Sequence, residues 1–314
     1  MVHEDKVISV QKASDMKTWI SAVPEIELIA EVDPVFVFGG DASEIEPKLW
    51  TGLVKEIYSR IDDYDGFVVT HGVDTMTFTS AMATLMLQNL NKPVIFTGSP
   101  LSAEVTESDK QDLSGLISNY KSLGVKANLI NSIQVATMDI AEVGIMFGNR
   151  LIKGTKAVKS DTPTFNFFDA YKDGLLGKVD FGIKILDKTK KRHDGKVTLQ
   201  DRIADNVCLL QLYPGAPAEL LKQMIDKKCP GIIVKSFNTN LFPETYKQYL
   251  DEAYQKRIPI VAHNPYALEV KKKKKEYILV NDMTFETTFV KFMWALGQTR
   301  DLGKLRIIMW RNGI

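Results

Sequence analysis

An α/β protein made of two parallel-sheet domains, the larger first and the smaller last, is what this sequence predicts, on three observations. Gly66 to Thr70 is a short apolar, β-branched run, after which Phe78, Ala81, Met82, Leu85 and Met86 recur at helical spacing. Pro34 to Phe38 reads as a strand, closed by the turn Gly39–Ser43 and followed by Trp50, Leu53, Val54, Ile57, Tyr58 and Ile61 at helical spacing. Beyond residue 205, strand-like and helical segments alternate again. With 314 residues, 45% of them hydrophobic, the chain is long enough to bury two cores.

Composition narrows the function. A net charge of +1 gives no electrostatic case for nucleic acid or an acidic membrane surface. The run Lys271–Lys275 reads as a solvated loop. Cys208 and Cys229 have no metal-ligand spacing and read as ordinary thiols of a reducing compartment. There is no long apolar span, no basic-then-apolar leader and no repeat, so the expectation is a soluble, cytoplasmic protein.

In chain order, Ser43 and Glu46 have capping-box spacing, and Pro47 sits in the first helical turn. Gly66–Thr70 is expected to be a strand buried on both faces. Pro93–Phe96 is another strand, closed by Thr97-Gly98-Ser99, and a helix is expected over 113–120. Val143 to Arg150 reads as one strand. The polar stretch opening at Asp187 reads as a linker, which divides the chain into domains at 1–186 and 205–314 with residues 187–204 between them. In the second domain, strands are expected at 207–212, 231–234 and 258–262, with helices at 217–225 and 244–254.

Chemistry concentrates in His71-Gly72-Val73-Asp74-Thr75, at the carboxyl end of a strand where a helix begins. Open α/β sheets bind ligands there, because backbone N–H groups and the helix dipole converge. The plain alternative is that Asp74 or Thr75 only caps the helix.

His71-Gly72-Val73-Asp74-Thr75-Met76 resembles the His-Gly-Thr-Asp-Thr-Met motif of bacterial and archaeal L-asparaginases, a family that includes one subunit of the archaeal glutamyl-tRNA amidotransferase. Further resemblances run along the chain in order. Asp41-Ala42-Ser43 with Pro47 and Trp50 is similar to the family's Asp-Ser-Ser…Pro…Trp segment. Thr97-Gly98-Ser99, Ser108-Asp109 and Phe147…Arg150 have counterparts too, as do Lys153–Ser160, Tyr213-Pro214-Gly215 and Asp282-Met283-Thr284.

The resemblance implies a two-domain asparaginase-like fold and an amidohydrolase that converts L-asparagine and water to L-aspartate and ammonia through an acyl-threonine. It implies no metal and no organic cofactor. Asp74 would hold the substrate's α-amino group, with Asp41, Ala42, Ser43 and Gly72 lining the substrate site. Lys159 falls on the lysine of a Thr-Asp-Lys triad, so Asp74 and Lys159 are expected within about 8 Å of each other, the reach of useful coupling at physiological salt. Taken alone, Lys159 would read as a surface charge. The partners implied are a small amino-acid amide and other copies of the chain, as a homodimer or homotetramer with sites between subunits. Nucleic acid and membrane are not among them.

Several positions depart from the family pattern. Val73 occupies the triad threonine's place, and valine has that residue's shape without its hydroxyl. Ala42 replaces the serine that binds the α-carboxylate. Leu241 stands where an asparagine completes a neighbouring subunit's site, with Asn240 one residue away, and His263-Asn264-Pro265 replaces a Ser-Gln pair. The sequence contains no Thr-Gly-Gly-Thr, the opening motif that carries the nucleophile. Met1-Val2 resembles the stretch just after that motif, so the reading frame is expected to continue upstream and encode the first strand. A second reading stands beside hydrolysis: an inactive paralogue that binds an amino acid or serves assembly. The amidotransferase component is a third, disfavoured by the chain's length and neutral charge.

Overall fold

A computed structural model describes residues 2–3, 6–7, 17, 20, 23–40, 42–98, 114–160, 166–237, 241–267 and 274–311. The chain forms two compact units, Met1–Leu199 and Gln200–Ile314.

The first unit opens with Val2–His3 (β1) and Lys6–Val7 (β2), an antiparallel pair. Pro24–Glu27 (α1), Pro47–Ser59 (α2), Phe67–Thr70 (β3), Met76–Met86 (α3), Leu87–Gln88 (β4), Val94–Thr97 (β5) and Ser114–Thr137 (α4) follow. Next come Val143–Phe147 (β6), Arg150–Lys153 (β7), Ala157–Lys159 (β8), Phe168–Ala170 (β9), Leu175–Val179 (β10), Ile183–Ile185 (β11) and Thr198–Leu199 (β12). The main sheet has the order β11-β10-β7-β6-β5-β3.

Only half of this sheet is parallel. β3, β5 and β6 run together, whereas β6–β7, β7–β10 and β10–β11 are antiparallel. The first reversal, between β6 and β7, lies at Gly148, where φ is +59°. Expected as one strand, Val143–Arg150 reverses there through a two-residue turn, which a glycine enters without steric cost.

Two other expectations fail locally. Pro34–Phe38 is not a strand: its valines and phenylalanines pair with no strand among the described residues and are 40–45% exposed. β3, expected to be covered on both faces, ends the strand order and is only half-buried. Ser43 is not the N-cap of α2 either, and lies in the 3₁₀ turn Ala42–Glu44. Glu46 takes the N-cap position of α2 without a side-chain hydrogen bond, and Pro47 opens the helix.

Core packing holds the centre of the sheet. β5 and β6 are buried throughout, and Ile95, Met146, Leu151 and Leu176 cluster with Val135 and Ile140. Removing any of these side chains from water is worth about 1.5–3 kcal/mol. α3 is buried on nearly every side, as its small residues allow. The Trp50 indole N–H donates to Thr79 Oγ1 at 3.0 Å and so ties α2 to α3. The helix expected over 113–120 extends to Thr137. Its apolar stripe is interrupted by Asn128 and Ser132, polar residues that are nonetheless buried.

The stretch from 187 to 199 lies against this unit. β12 pairs antiparallel with β4, and Ala141 N–H donates to the Lys190 carbonyl. Arg192 donates through Nε to Met138 O (2.8 Å), through one terminal nitrogen to Asp65 O (2.5 Å) and through the other to Ala136 O (2.9 Å). One planar guanidinium thus satisfies three carbonyls around the end of α4. Arg192→Met should lower the stability of this unit by about 1–3 kcal/mol, the cost of carbonyls left without a donor. A urea titration unchanged by the substitution would contradict this.

In the second unit, Cys208–Gln211 (β13), Ile232–Lys235 (β14), Ile260–His263 (β15) and Ile278–Val280 (β16) form an all-parallel sheet in sequential order. Glu219–Asp226 (α5), Lys247–Gln255 (α6), Phe285–Gln298 (α7) and Leu302–Trp310 (α8) complete it. The last strand, β16, is three residues long and gave no separate sequence signal. Thr284 caps α7 by accepting from Thr287 N–H at 3.1 Å, and Asp301 caps α8 by accepting from Lys304 N–H at 2.8 Å. Tyr246 is wholly buried, and its hydroxyl reaches the carbonyls of Ala216 and Pro217.

Cys208 and Cys229 are not free thiols. They form a disulfide between Cα atoms 6.1 Å apart. The 21-residue separation gave no sign of it; the parallel pairing of β13 and β14 brings the two together. The pair therefore lends no support to a reducing compartment. No helix among the described residues is long and apolar enough to cross a membrane.

Candidate functional site

β3 delivers the motif. Its last residue, Thr70, pairs with Thr97 at the end of β5, and His71 N–H donates to Thr97 O at 2.8 Å. The chain leaves the sheet and enters α3 within a few residues, so His71 to Thr75 crowd the carboxyl ends of two parallel strands. The approach is close: a Cβ on Gly98 would lie 2.1 Å from the His71 carbonyl oxygen. Asn128 on α4 braces the same turn, donating to Gly98 O (3.1 Å) and accepting from Gly148 N–H (2.9 Å). Thr97 Oγ1 donates to Met146 O at 2.9 Å. Sequence reasoning missed Asn128, because a lone asparagine inside a helix carries no local signal.

His71 turns inward. Its Nδ1 carries the proton donated to Gly72 O at 2.7 Å, and its ring meets the Phe96 ring edge-on. Nε2 is buried with no hydrogen-bond partner among the described residues. Burial holds the imidazole's pKa below its ordinary value, against a smaller opposing pull from the Gly72 carbonyl. The ring is therefore neutral at physiological pH and clamps the backbone ahead of Val73.

Val73 is buried, at 7% exposure. Asp74 points the other way, into solvent, and meets Lys159 at the end of β8: Nζ to Oδ1 is 2.9 Å. The two residues, 85 positions apart, come together well inside 8 Å. Both are substantially exposed, so their attraction adds little stability and serves to set position. The Lys159 ammonium also lies 6.0 Å from the Phe167 ring centre. Next along, Arg150 pairs with Asp169, the residue facing Val158 across β8 and β9.

The helix-capping alternative fails at both residues. Thr75 sits at the N-cap of α3 but makes no cap hydrogen bond. Its Oγ1 donates instead to Ala42 O at 2.9 Å. Ala42 opens a 3₁₀ turn, Ala42–Glu44, and a Cβ added to Gly72 would come within 2.4 Å of the Ala42 Cβ. Ala42, Gly72, Thr75 and Asp74 are thus drawn together, with Ser43 beside them. Asp41 lies outside the described residues, as do Ser99, Ser108, Asp109 and Asn240.

In the second unit, Leu241 is buried at 3% exposure with φ at +64°, and Ser236 Oγ donates to its carbonyl. That left-handed backbone suits asparagine better than leucine. Packing against Ala267 and Leu279 holds the leucine there. His263 Nε2 donates to Met283 O at 3.1 Å. Among the described residues, no group of three or more His, Cys, Asp or Glu side chains could hold a metal ion.

These two units, a mixed α/β sheet with this strand-end cluster and a smaller parallel one, define the two-domain asparaginase fold. L-asparaginase I from Vibrio cholerae matches it with a TM-score of 0.78, covering 98% of this chain and 95% of that one at 24% identity. The chain belongs to the asparaginase family: residues 1–191 match the family profile "Asparaginase, N-terminal" and residues 206–309 match "Glutaminase/Asparaginase C-terminal domain". A component of the glutamyl-tRNA(Gln) amidotransferase of Pyrococcus abyssi is 30% identical over 312 residues, which cover 93% of this chain and 68% of that protein. L-asparaginase 1 of Escherichia coli K12 is 28% identical over 287 residues, covering 87% and 80%.

Proposed function

We propose that the cluster around Asp74 is an asparaginase-type amidohydrolase site for an α-amino-acid amide, with L-asparagine its first candidate, and that Val73 cripples its hydrolytic step. The observation that carries this reading is the Val73–Asp74–Lys159 arrangement. Asp74 offers a carboxylate to the substrate's ammonium group, and Lys159, 2.9 Å away, fixes its position. Beside them, a buried methyl pair sits where the family's triad would pass a proton. Amide hydrolysis needs a nucleophile relieved of its proton and a proton delivered to the leaving ammonia. Valine does neither, and the Thr-Gly-Gly-Thr that would bring the nucleophile is not in these 314 residues.

Ala42 and Val73 together also favour a second reading, a family member that binds an amino acid or serves assembly without turning it over. Both readings include self-association as a homodimer or homotetramer, and neither calls for nucleic acid. The amidotransferase relatives act on a glutamyl-tRNA by name, but a net charge of +1 offers little to a polyanion.

The 314-residue protein should bind L-asparagine measurably by titration calorimetry, and Asp74→Ala should weaken that binding at least tenfold, about 1.4 kcal/mol. Ammonia release should stay at background, since loss of a catalytic group forfeits orders of magnitude in rate. Steady ammonia release that Asp74→Ala abolishes would restore full hydrolysis and remove the second reading. Absence of binding in both proteins would remove the amide site itself.

A further inference from the structure

We propose that Cys208 and Cys229 form a reversible thiol–disulfide clamp that holds the edge strand β13 and the crossover through α5 in the second unit. These are the chain's only two cysteines, and they are bonded to each other. Cys208 is the first residue of β13, and among the described residues that strand pairs only with β14. Cys229 lies just past α5, where its N–H donates to Met224 O at 3.2 Å. The bond therefore closes a loop containing the whole helix that packs on β13.

An edge strand has one ladder of hydrogen bonds instead of two, so it is where a parallel sheet opens first. Cross-linking its start to the crossover removes most of the chain freedom that opening would release. What β13 leads into gives the clamp a consequence. Past Gln211 the chain lines a cavity of about 320 Å³, through Leu212, Tyr213 and Gly215, together with Phe237, Pro243 and Tyr246. That volume lies in the range of small-ligand pockets. Tyr213 and Phe237 are exposed at its rim, at 54% and 50%.

The two sulfurs differ in access. Cys229 is buried at 6% exposure, whereas Cys208 is partly open. Opening starts at Cys208, the less buried of the two residues. A thiolate of a small dithiol attacks Cys208 Sγ, the Sγ–Sγ bond breaks, and Cys229 leaves as a thiolate that takes up a proton. The second thiol of the dithiol then displaces Cys208, and the reductant departs as a disulfide. Two electrons and two protons pass to the protein.

The test uses the full chain with dithiothreitol and oxidised glutathione as probes. After exposure to oxidised glutathione the protein should titrate no free thiol, and after dithiothreitol it should titrate both. Reduction should lower the melting temperature of the second unit by roughly 10–20 °C, as expected for a closed loop of this length. Amide exchange over residues 208–216 should quicken roughly 100-fold, while that of residues 67–97 stays unchanged. A Cys208→Ser/Cys229→Ser double variant should match the reduced protein and ignore dithiothreitol. Two free thiols after the oxidant, equal melting in both states, or a double variant that still responds to dithiothreitol would each overturn the proposal.

Discussion

Gly98→Ala is expected to destabilise the first unit by about 3 kcal/mol or more, at the upper end of what overpacking costs. An added Cβ would lie 2.1 Å from the His71 carbonyl oxygen and 3.0 Å from the Met76 methyl. Met76 is flexible and can yield. The carbonyl cannot, because the His71 N–H is held by Thr97 O and the ring by its bond to Gly72 O. Relief requires β3 and β5 to part at the end where the motif leaves the sheet, so binding at Asp74 should suffer together with stability. Gly52→Ala is the control: it lies on the exposed side of α2 with nothing within 4 Å of its Cβ position. It should be neutral or gain up to about 1 kcal/mol from helix propensity. A Gly98→Ala protein melting within about 2 °C of the parent would show that the close approach costs little.

The stability of the second unit should rise with pH between about 8 and 10.5, and Lys291 should be responsible. This lysine on α7 is 3% exposed. Its ammonium donates to Arg311 O at 2.9 Å and to Met309 O at 3.5 Å, at the carboxyl end of α8. Burial lowers its pKa from the ordinary 10.5 to about 8, with the nearby Asp282 charge pulling the other way. Below pH 8 the folded and unfolded chains both carry the proton, and the folded one bears the cost of the buried charge. Between the two pKa values the unfolded chain binds more protons, so folding gains with pH, by about 3 kcal/mol in all. As pH falls from 10.5 back to 8 that gain is lost. Lys291→Met should flatten the rise by this amount. Parallel pH profiles for the two proteins would mean the ammonium is better solvated than its surroundings indicate.

Much of the candidate site's placement was legible because its residues are close in sequence. His71 to Met76 is a contiguous string after an apolar run, and the ordered resemblances along the chain carried Lys159 to it across 85 residues. The two-unit α/β organisation was legible for the same kind of reason: short apolar runs alternate with helical periodicity, a pattern set by local geometry.

What the tertiary structure decided was pairing. A periodic strand pattern does not say which strands meet or in which direction. β7 turned back antiparallel on β6 through the conformation of one residue, Gly148. Val35 to Phe38 looked like strand because its side chains are apolar and branched or aromatic. A strand is stable only with a neighbour to accept its hydrogen bonds, and these residues have none in a sheet among the described residues. Thr75 chose the Ala42 carbonyl over its own helix end, since folding placed that acceptor 2.9 Å away. Cys208 and Cys229 read as separate thiols because nothing local links residues 21 apart. Hydrophobic periodicity is a property of the chain, whereas hydrogen-bond, disulfide and ion-pair partners are properties of the packed whole, and those partners set the surroundings of Asp74.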